Sequence, residues 1–297
     1  MNRRHVWSAC PLLVAMVLAG CGVGNPPDVS SVGVVPSQGA ANSGTLVVGS
    51  SPSVRPLEYL DEKNEVTGLV IDLIRAVAVK MDTQVKFETM SFDALIPALQ
   101  SKRINMITQM GDLPERRGTV TFIDFLQSGA ALLVADGNPR AVKGPNDLCG
   151  LRVAFSRGTS QQKVTEAAAA WCASNGKKEV QQAAYPGATE TVLALRSGQA
   201  DAAWTDVVNA AFLIKQTPGT YAVAYKDNGH GYGIGFPKQD VELRERFFKE
   251  LQTLREDGTY KKLVEKYGLE DSILKEFTIN QGQGLDIPVQ PSTKTSR

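Results

Sequence analysis

The chain has 297 residues and a formal net charge of +1, with hydrophobic residues at 42% and charged residues at 21%. That length admits one large or two medium domains, and the near-neutral balance removes the electrostatic basis for a nucleic-acid partner. With two histidines, His5 in the leader and His230 in the body, most hydrolase and metalloenzyme constellations are set aside, and neither a cofactor nor a metal is expected.

Residues 1–20 read as a secretory signal: Arg3 and Arg4 precede an apolar run over 11–19 that is too short to remain as a membrane span. The closing L-A-G-C resembles a bacterial lipobox, in which Cys21 receives the lipid and becomes the mature N-terminus. Residues 21–44, rich in Gly, Pro, Ser, Val and Asn without a period, form a flexible tether. T-L-V-V-G-S from Thr45 is a buried strand, followed by a Pro-bearing loop and a hairpin-like excursion, E-Y-L-D-E-K-N-E-V-T-G. Leu69, Leu73, Val77 and Met81 recur at helical spacing. Val85 and Phe87 alternate as a strand, and Ser91 caps the helix F-D-A-L-I-P-A-L-Q-S-K-R.

The next stretch carries the densest signal. Ile104, Met106 and Ile107 read as a strand that breaks at Gly111. Asp112 with Glu115 three residues on is a capping-box pattern, and Pro114 suits a first helical turn. Arg116 then sits on a pinned turn at a strand exit, where its planar fork can grip a carboxylate. The alternative is a surface arginine paired with Glu115 or Asp112.

A second series of alternating elements follows: an apolar strand from Ala130 to the turn D-G-N-P, a strand at 152–155, and S-R-G-T-S leading into a helix over 161–173. Thr159 and Ser160 are N-cap types, so the turn offers free N–H groups to an anion, or the residues simply cap. After a strand at 180–185 and a helix at 189–196, A-D-A-A-W precedes Asp206, which either caps the next helix or presents a carboxylate to an ammonium group. G-H-G-Y-G-I-G-F is glycine-rich without the setting of a phosphate loop and reads as a strand crossing back, its glycines permitting close approach. Two amphipathic helices and a polar tail from Gly282 complete the chain. Alternating strands and helices imply largely parallel sheets with ligands beyond the C-terminal strand ends. In an exported chain with no C-x-x-C pair, Cys149 and Cys172 point to a structural disulfide; two separately buried thiols are the alternative.

Five collinear stretches, S-F-D-A-L-I-P-A-L-Q-S-K-R, L-P-E-R-R-G-T-V-T-F, D-L-C-G-L-R-V-A-F-S-R-G-T-S, L-R-S-G-Q-A-D-A-A-W-T-D and L-R-E-D-G-T-Y-K-K-L-V-E-K-Y-G, resemble the family 3 extracellular solute-binding proteins, amino-acid receptors of ABC importers, over about 45–269. The resemblance implies an α/β, two-lobed periplasmic-binding-protein-like fold of type II, with crossovers near 129–135 and 232–236 and the ligand cleft between the lobes. Residues 45–131 and 236–281 would form lobe 1, residues 132–235 lobe 2, and 282–297 the polar tail. It also implies that Arg116 grips the ligand α-carboxylate with support from Ser160, that Asp206 takes the α-ammonium, and that Phe92 stacks on the ligand; Thr159 joins the binding set through the anion-binding turn read above.

The sequence departs from the family pattern at Val54 and Leu57, where aromatic residues are usual, and at Gly111 in the binding set, where a hydroxyl residue is usual. Gln109 replaces a smaller residue, and Arg55 is read as covering the surface. The expectation is a monomeric, lipid-anchored, extracytoplasmic receptor that is no enzyme. It would capture an amino acid or similar zwitterion and deliver it to an ABC permease and its ATPase subunits. The alternatives are a dehydratase-like enzyme on the same scaffold, with Glu58 as its acid, and a ligand-sensing surface module.

Overall fold

The computed structural model describes residues 44–227, 230–282 and 289. The signal, the tether through residue 43 with Cys21, and the tail apart from Gly282 and Val289 lie outside them. Among the described residues, no helix is long and apolar enough to cross a membrane.

Strand β1 (Leu46–Ser50) leads into three short strands, β2 (Ser53–Val54), β3 (Glu58–Leu60) and β4 (Val66–Thr67), which pair antiparallel in a small sheet of their own. Helix α1 (Leu69–Lys80) turns Leu69, Leu73, Ile74 and Val77 inward, and all four are fully buried in a core shared with Val48, Met106 and Ile123. β5 (Val85–Thr89), α2 (Leu95–Gln100), β6 (Met106–Gly111) and β7 (Val120–Ser128) follow. The next series is β8 (Ala130–Ala135), β9 (Arg152–Ser156), α3 (Ser160–Ser174), β10 (Gln181–Tyr185), α4 (Ala188–Arg196), β11 (Ala202–Asp206), α5 (Val207–Gln216) and β12 (Tyr221–Lys226). β13 (His230–Pro237), α6 (Val241–Glu256), α7 (Thr259–Lys266) and β14 (Ile273–Ile279) close the chain.

The six strands of the first large sheet run in the order β14-β7-β13-β6-β1-β5, and the five of the second in the order β10-β9-β11-β8-β12. Each has a parallel half, with β1 beside β5 and β6 in one and β9 beside β10 and β11 in the other. The architecture is the two-lobed α/β fold expected. The chain changes sheet at Gly129, between β7 and β8, and again between Lys226 and His230. These exchange points lie earlier than the lobe limits expected at 131/132 and 235/236. Ala130 and Ala131 already pair with β11, while residues 230–235 pair with β7. The long antiparallel ladder from His230–Ser128 to Pro237–Val120 keeps β13 on the first sheet. Its glycines allow that approach: a Cβ at Gly233 would stand 2.7 Å from Phe122 Cβ.

Two local expectations change. Asp112 does not cap a helix; Pro114–Arg116 is a single 3-10 turn with Leu113 at its N-cap, and the Asp112 carboxylate turns inward to Arg117. Ser91 makes no capping bond either, its hydroxyl reaching Asp93 Oδ1 at 2.5 Å. Cys149 and Cys172 form a disulfide across 23 positions, joining the loop before β9 to the end of α3.

Candidate functional site

The C-terminal ends of β6 and β11, with the turns that follow β1 and β9, converge on one cavity. Its lining includes Ser51, Phe92, Gln109, Gly111 and Arg116 from the first sheet and Thr159, Ser160, Gln161, Trp204 and Asp206 from the second. All six residues singled out from the sequence for binding, Arg116, Asp206, Phe92, Ser160, Thr159 and Gly111, are on this list, and Val54 lines it too. Leu57 does not; it is fully buried in the core beside α1. Arg55 is exposed, its guanidinium 3.9 Å from the Tyr59 ring centre.

Arg116 is held by carbonyl oxygens rather than by carboxylates. Nη1 donates to Gly111 O at 2.8 Å, and Nη2 reaches across the cleft to Gly158 O at 3.1 Å. The Phe92 ring lies 5.6 Å from the guanidinium carbon. Among the described residues Arg116 forms no ion pair, because the acids beside it are already taken. Asp112 accepts two bonds from Arg117, at 2.7 and 3.0 Å, and Glu115 pairs with Lys163 at 2.6 Å. The alternative of a surface arginine paired with Glu115 or Asp112 is therefore not what the geometry shows. Burial lowers the Arg116 pKa to about 10, against the opposing pull of Glu115 and Asp112.

On the facing wall, Gly158 turns the chain from β9 into α3 with φ +74, a left-handed conformation that glycine adopts without a steric penalty. A Cβ there would also press on Asp93 at 3.1 Å, so the same position needs glycine for close approach across the cleft. Thr159 is the N-cap of α3: it accepts from Gln162 N at 3.3 Å and donates to Ser156 O at 2.6 Å. Its hydroxyl is thus spent on the turn, as the capping alternative anticipates, while Ser160, buried at the first helical position, donates to Gln161 Oε1 at 3.2 Å.

Asp206 occupies the N-cap position of α5 but makes no side-chain capping bond. Its carboxylate lines the cavity instead, and among the described residues it forms no ion pair. Burial raises its pKa to about 6; neighbouring Tyr232 and Gln161 oppose the rise, and Asp227 adds to it.

Three participants were not read from the sequence. Gln109 donates Nε2 to Glu58 Oε1 at 3.2 Å, leaving its buried Oε1 without a partner. Trp204, 1% exposed on β11, likewise leaves Nε1 without one, and Tyr232 of β13 lies beside Asp206. Gln109 stood out in the sequence only as an oversized replacement; Trp204 and Tyr232 read there as ordinary strand residues. Glu58 itself is fully buried behind the wall, accepting from Ser50 Oγ at 2.9 Å and Thr108 Oγ1 at 2.6 Å. Burial pushes its pKa up, and it does not line the cavity. Among the described residues no three or more His, Cys, Asp and Glu side chains gather into a metal-binding group.

Contacts across the cleft close it. Arg157 meets Asp93 at 3.3 Å, Lys163 meets Glu115, and Thr189 Oγ1 approaches Ser53 O at 3.5 Å. These surface pairs are worth at most about 1 kcal/mol each.

Residues 46–270 match the family described as bacterial extracellular solute-binding proteins, family 3. A histidine-binding periplasmic protein of Escherichia coli K12 is 32% identical over 237 residues, covering 77% of this chain and 89% of that protein. An arginine-binding protein of Corynebacterium glutamicum is 27% identical, covering 86% of this chain and 84% of its own length. Among solved structures, an ancestral arginine-binding protein bound to arginine superposes with a TM-score of 0.68 at 32% identity, covering 75% of this chain and 98% of that one.

The raised Asp206 pKa has a measurable consequence. A cationic ligand group that pairs with Asp206 requires the carboxylate, so the ligand depresses a pKa of about 6 in the free protein and affinity falls with pH. Calorimetric titration should give constant affinity above about pH 7 and a loss approaching tenfold per unit well below 6. Asp206→Asn should bind weakly and lose this dependence, whereas a flat profile in the unaltered protein would separate Asp206 from the ligand's charge.

Proposed function

We propose, since the chain belongs to the family 3 bacterial extracellular solute-binding proteins, that it captures an amino acid or related zwitterion outside the cytoplasm and delivers it to an ABC permease driven by ATPase subunits. The observation that carries this reading is one cavity holding a guanidinium and a carboxylate on opposite walls, neither engaged in an ion pair among the described residues. A zwitterion offers a carboxylate for Arg116 and an ammonium for Asp206. Bound to both, it stabilises the closed arrangement differentially, as a two-state receptor requires.

In this reading Arg116 binds the α-carboxylate, with the Ser160 hydroxyl and the N-terminal N–H groups of α3 beside it. Thr159 shapes that turn, the Gly111 carbonyl fixes the guanidinium, and Phe92 packs against ligand and arginine together. The relatives named for histidine and arginine binding support an amino-acid ligand. The protein acts as a monomer, and the L-A-G-C ending at Cys21 supports attachment to the membrane by lipid alone. A dehydratase needs an acid within reach of its substrate, and Glu58, enclosed by Ser50, Thr108 and Gln109, is poorly placed for that work.

Arg116→Ala should cost about 2–5 kcal/mol of binding free energy, because it strips a desolvated charge pair of one member. Melting temperature should hardly change, since removing a buried charge without an ionic partner offsets the hydrogen bonds lost to the Gly111 and Gly158 carbonyls. Unaltered affinity in calorimetry would remove Arg116 from the site and the reading with it. Separately, Cys21→Ser should move the protein from the membrane fraction to the soluble one, and retention in membranes would contradict lipid attachment.

A further inference from the structure

We propose that the bound amino acid has an uncharged side chain carrying both an N–H donor and a carbonyl acceptor, as a carboxamide does; this rests on the zwitterion reading above. Among the described residues that line the cavity, the charged ones are Arg116 and Asp206, and the main-chain groups of the ligand occupy both. The rest of the lining offers hydroxyls, amides and apolar surface, with Ser51 after β1, Val54 on β2, Gln109 on β6 and Trp204 on β11. A cationic or anionic side chain would enter this enclosed space with no counter-charge.

Glu58, the buried carboxylate that Gln109 reaches, does not supply one. Ser50 and Thr108 occupy Oε2, the Gln109 amide covers Oε1, and the group lies behind the wall. That same contact orients Gln109. With Nε2 donating to Glu58 Oε1, the carbonyl end of the Gln109 amide is left for the ligand.

Three residues of the cavity lining carry a buried polar atom without a hydrogen-bond partner: Gln109, Trp204 and Tyr232, the last beside Asp206 at the main-chain end of the ligand. Gln109 Oε1 is an acceptor on a residue 3% exposed, and Trp204 Nε1–H is a donor on a residue 1% exposed; neither has a hydrogen-bond partner. Gln109 Oε1 requires an N–H from the ligand and Trp204 requires an acceptor. A side chain with both groups satisfies the pair, whereas an aliphatic side chain leaves two buried polar atoms unmet, the situation in which a site rejects an analogue most strongly.

The test is calorimetric titration of the purified protein, freed of co-purified ligand, with the twenty amino acids, norvaline and citrulline, read through matched partners. Glutamine differs from glutamate and norvaline, asparagine from aspartate, and citrulline from arginine, chiefly in the charge or the amide. The tightest ligand should be glutamine, asparagine or citrulline, at least tenfold tighter than its charged partner; for glutamine, the same margin applies over norvaline. Any other tightest ligand, whether basic, acidic, apolar or hydroxyl-bearing, overturns this assignment and leaves the zwitterion reading standing. Silence across the whole panel overturns the zwitterion reading, and the side-chain assignment falls with it.

Discussion

Two opposite charges face one enclosed cavity from different sheets, and among the described residues neither has an ionic partner. Burying an unpaired charge is expensive, and each member responds in the way its chemistry permits. Asp206 moves its pKa to about 6. Arg116, whose pKa burial lowers only to about 10, keeps its charge and is held by the carbonyls of Gly111 and Gly158. A ligand bearing both charges relieves both costs at once, so capture and closure become the same event. The neighbouring charges support this arrangement by being satisfied among themselves. Arg117 takes Asp112, Lys163 takes Glu115, and Arg157 takes Asp93.

The turn that carries Arg116 is anchored deep in the first sheet. Asp112, fully buried, accepts from both nitrogens of the Arg117 fork and from Gly282 N at 2.7 Å, while Arg117 also donates to the Gly282 carbonyl. Asp124 on β7 accepts from Thr278 Oγ1 at 3.0 Å and Gln281 N at 3.2 Å, which ties the same C-terminal segment to the strand leading towards the second sheet. Burial and the nearby Asp112 raise the Asp124 pKa to about 7. A buried network of this kind fixes the turn more firmly than the capping box expected at Asp112 and Glu115 would, because it joins three chain segments instead of one.

The sequence made the alternation of strands and helices legible, and with it the fold class and the strand-end location of the site. Helical spacing at Leu69, Leu73 and Val77 and capping chemistry at Thr159 are local signals, and local structure follows them. Non-local pairing was not legible. β7 is buried along nearly its whole length, so it shows no polar–apolar alternation to mark it, and its partnership with β13 shifts the sheet exchange to Gly129. The charges on the Arg116 turn were ambiguous for a similar reason. Whether Asp112 pairs with Arg116 or Arg117 depends on which way a 3-10 turn rotates its side chains. Trp204 and Gln109 carry no motif; their significance lies in buried atoms left without partners, which only the folded arrangement reveals.

The central claim is that the ligand spans the cavity with its carboxylate on Arg116 and its ammonium on Asp206. It is tested most directly by titrating whichever amino acid binds alongside its N-acetyl and methyl-ester derivatives, each of which lacks one of the two charges. The account predicts that each derivative loses at least about 100-fold in affinity, or about 2.7 kcal/mol. A derivative that binds as tightly as the free amino acid would show that the charge it lacks is not recognised, and would contradict the pairing on which this description rests.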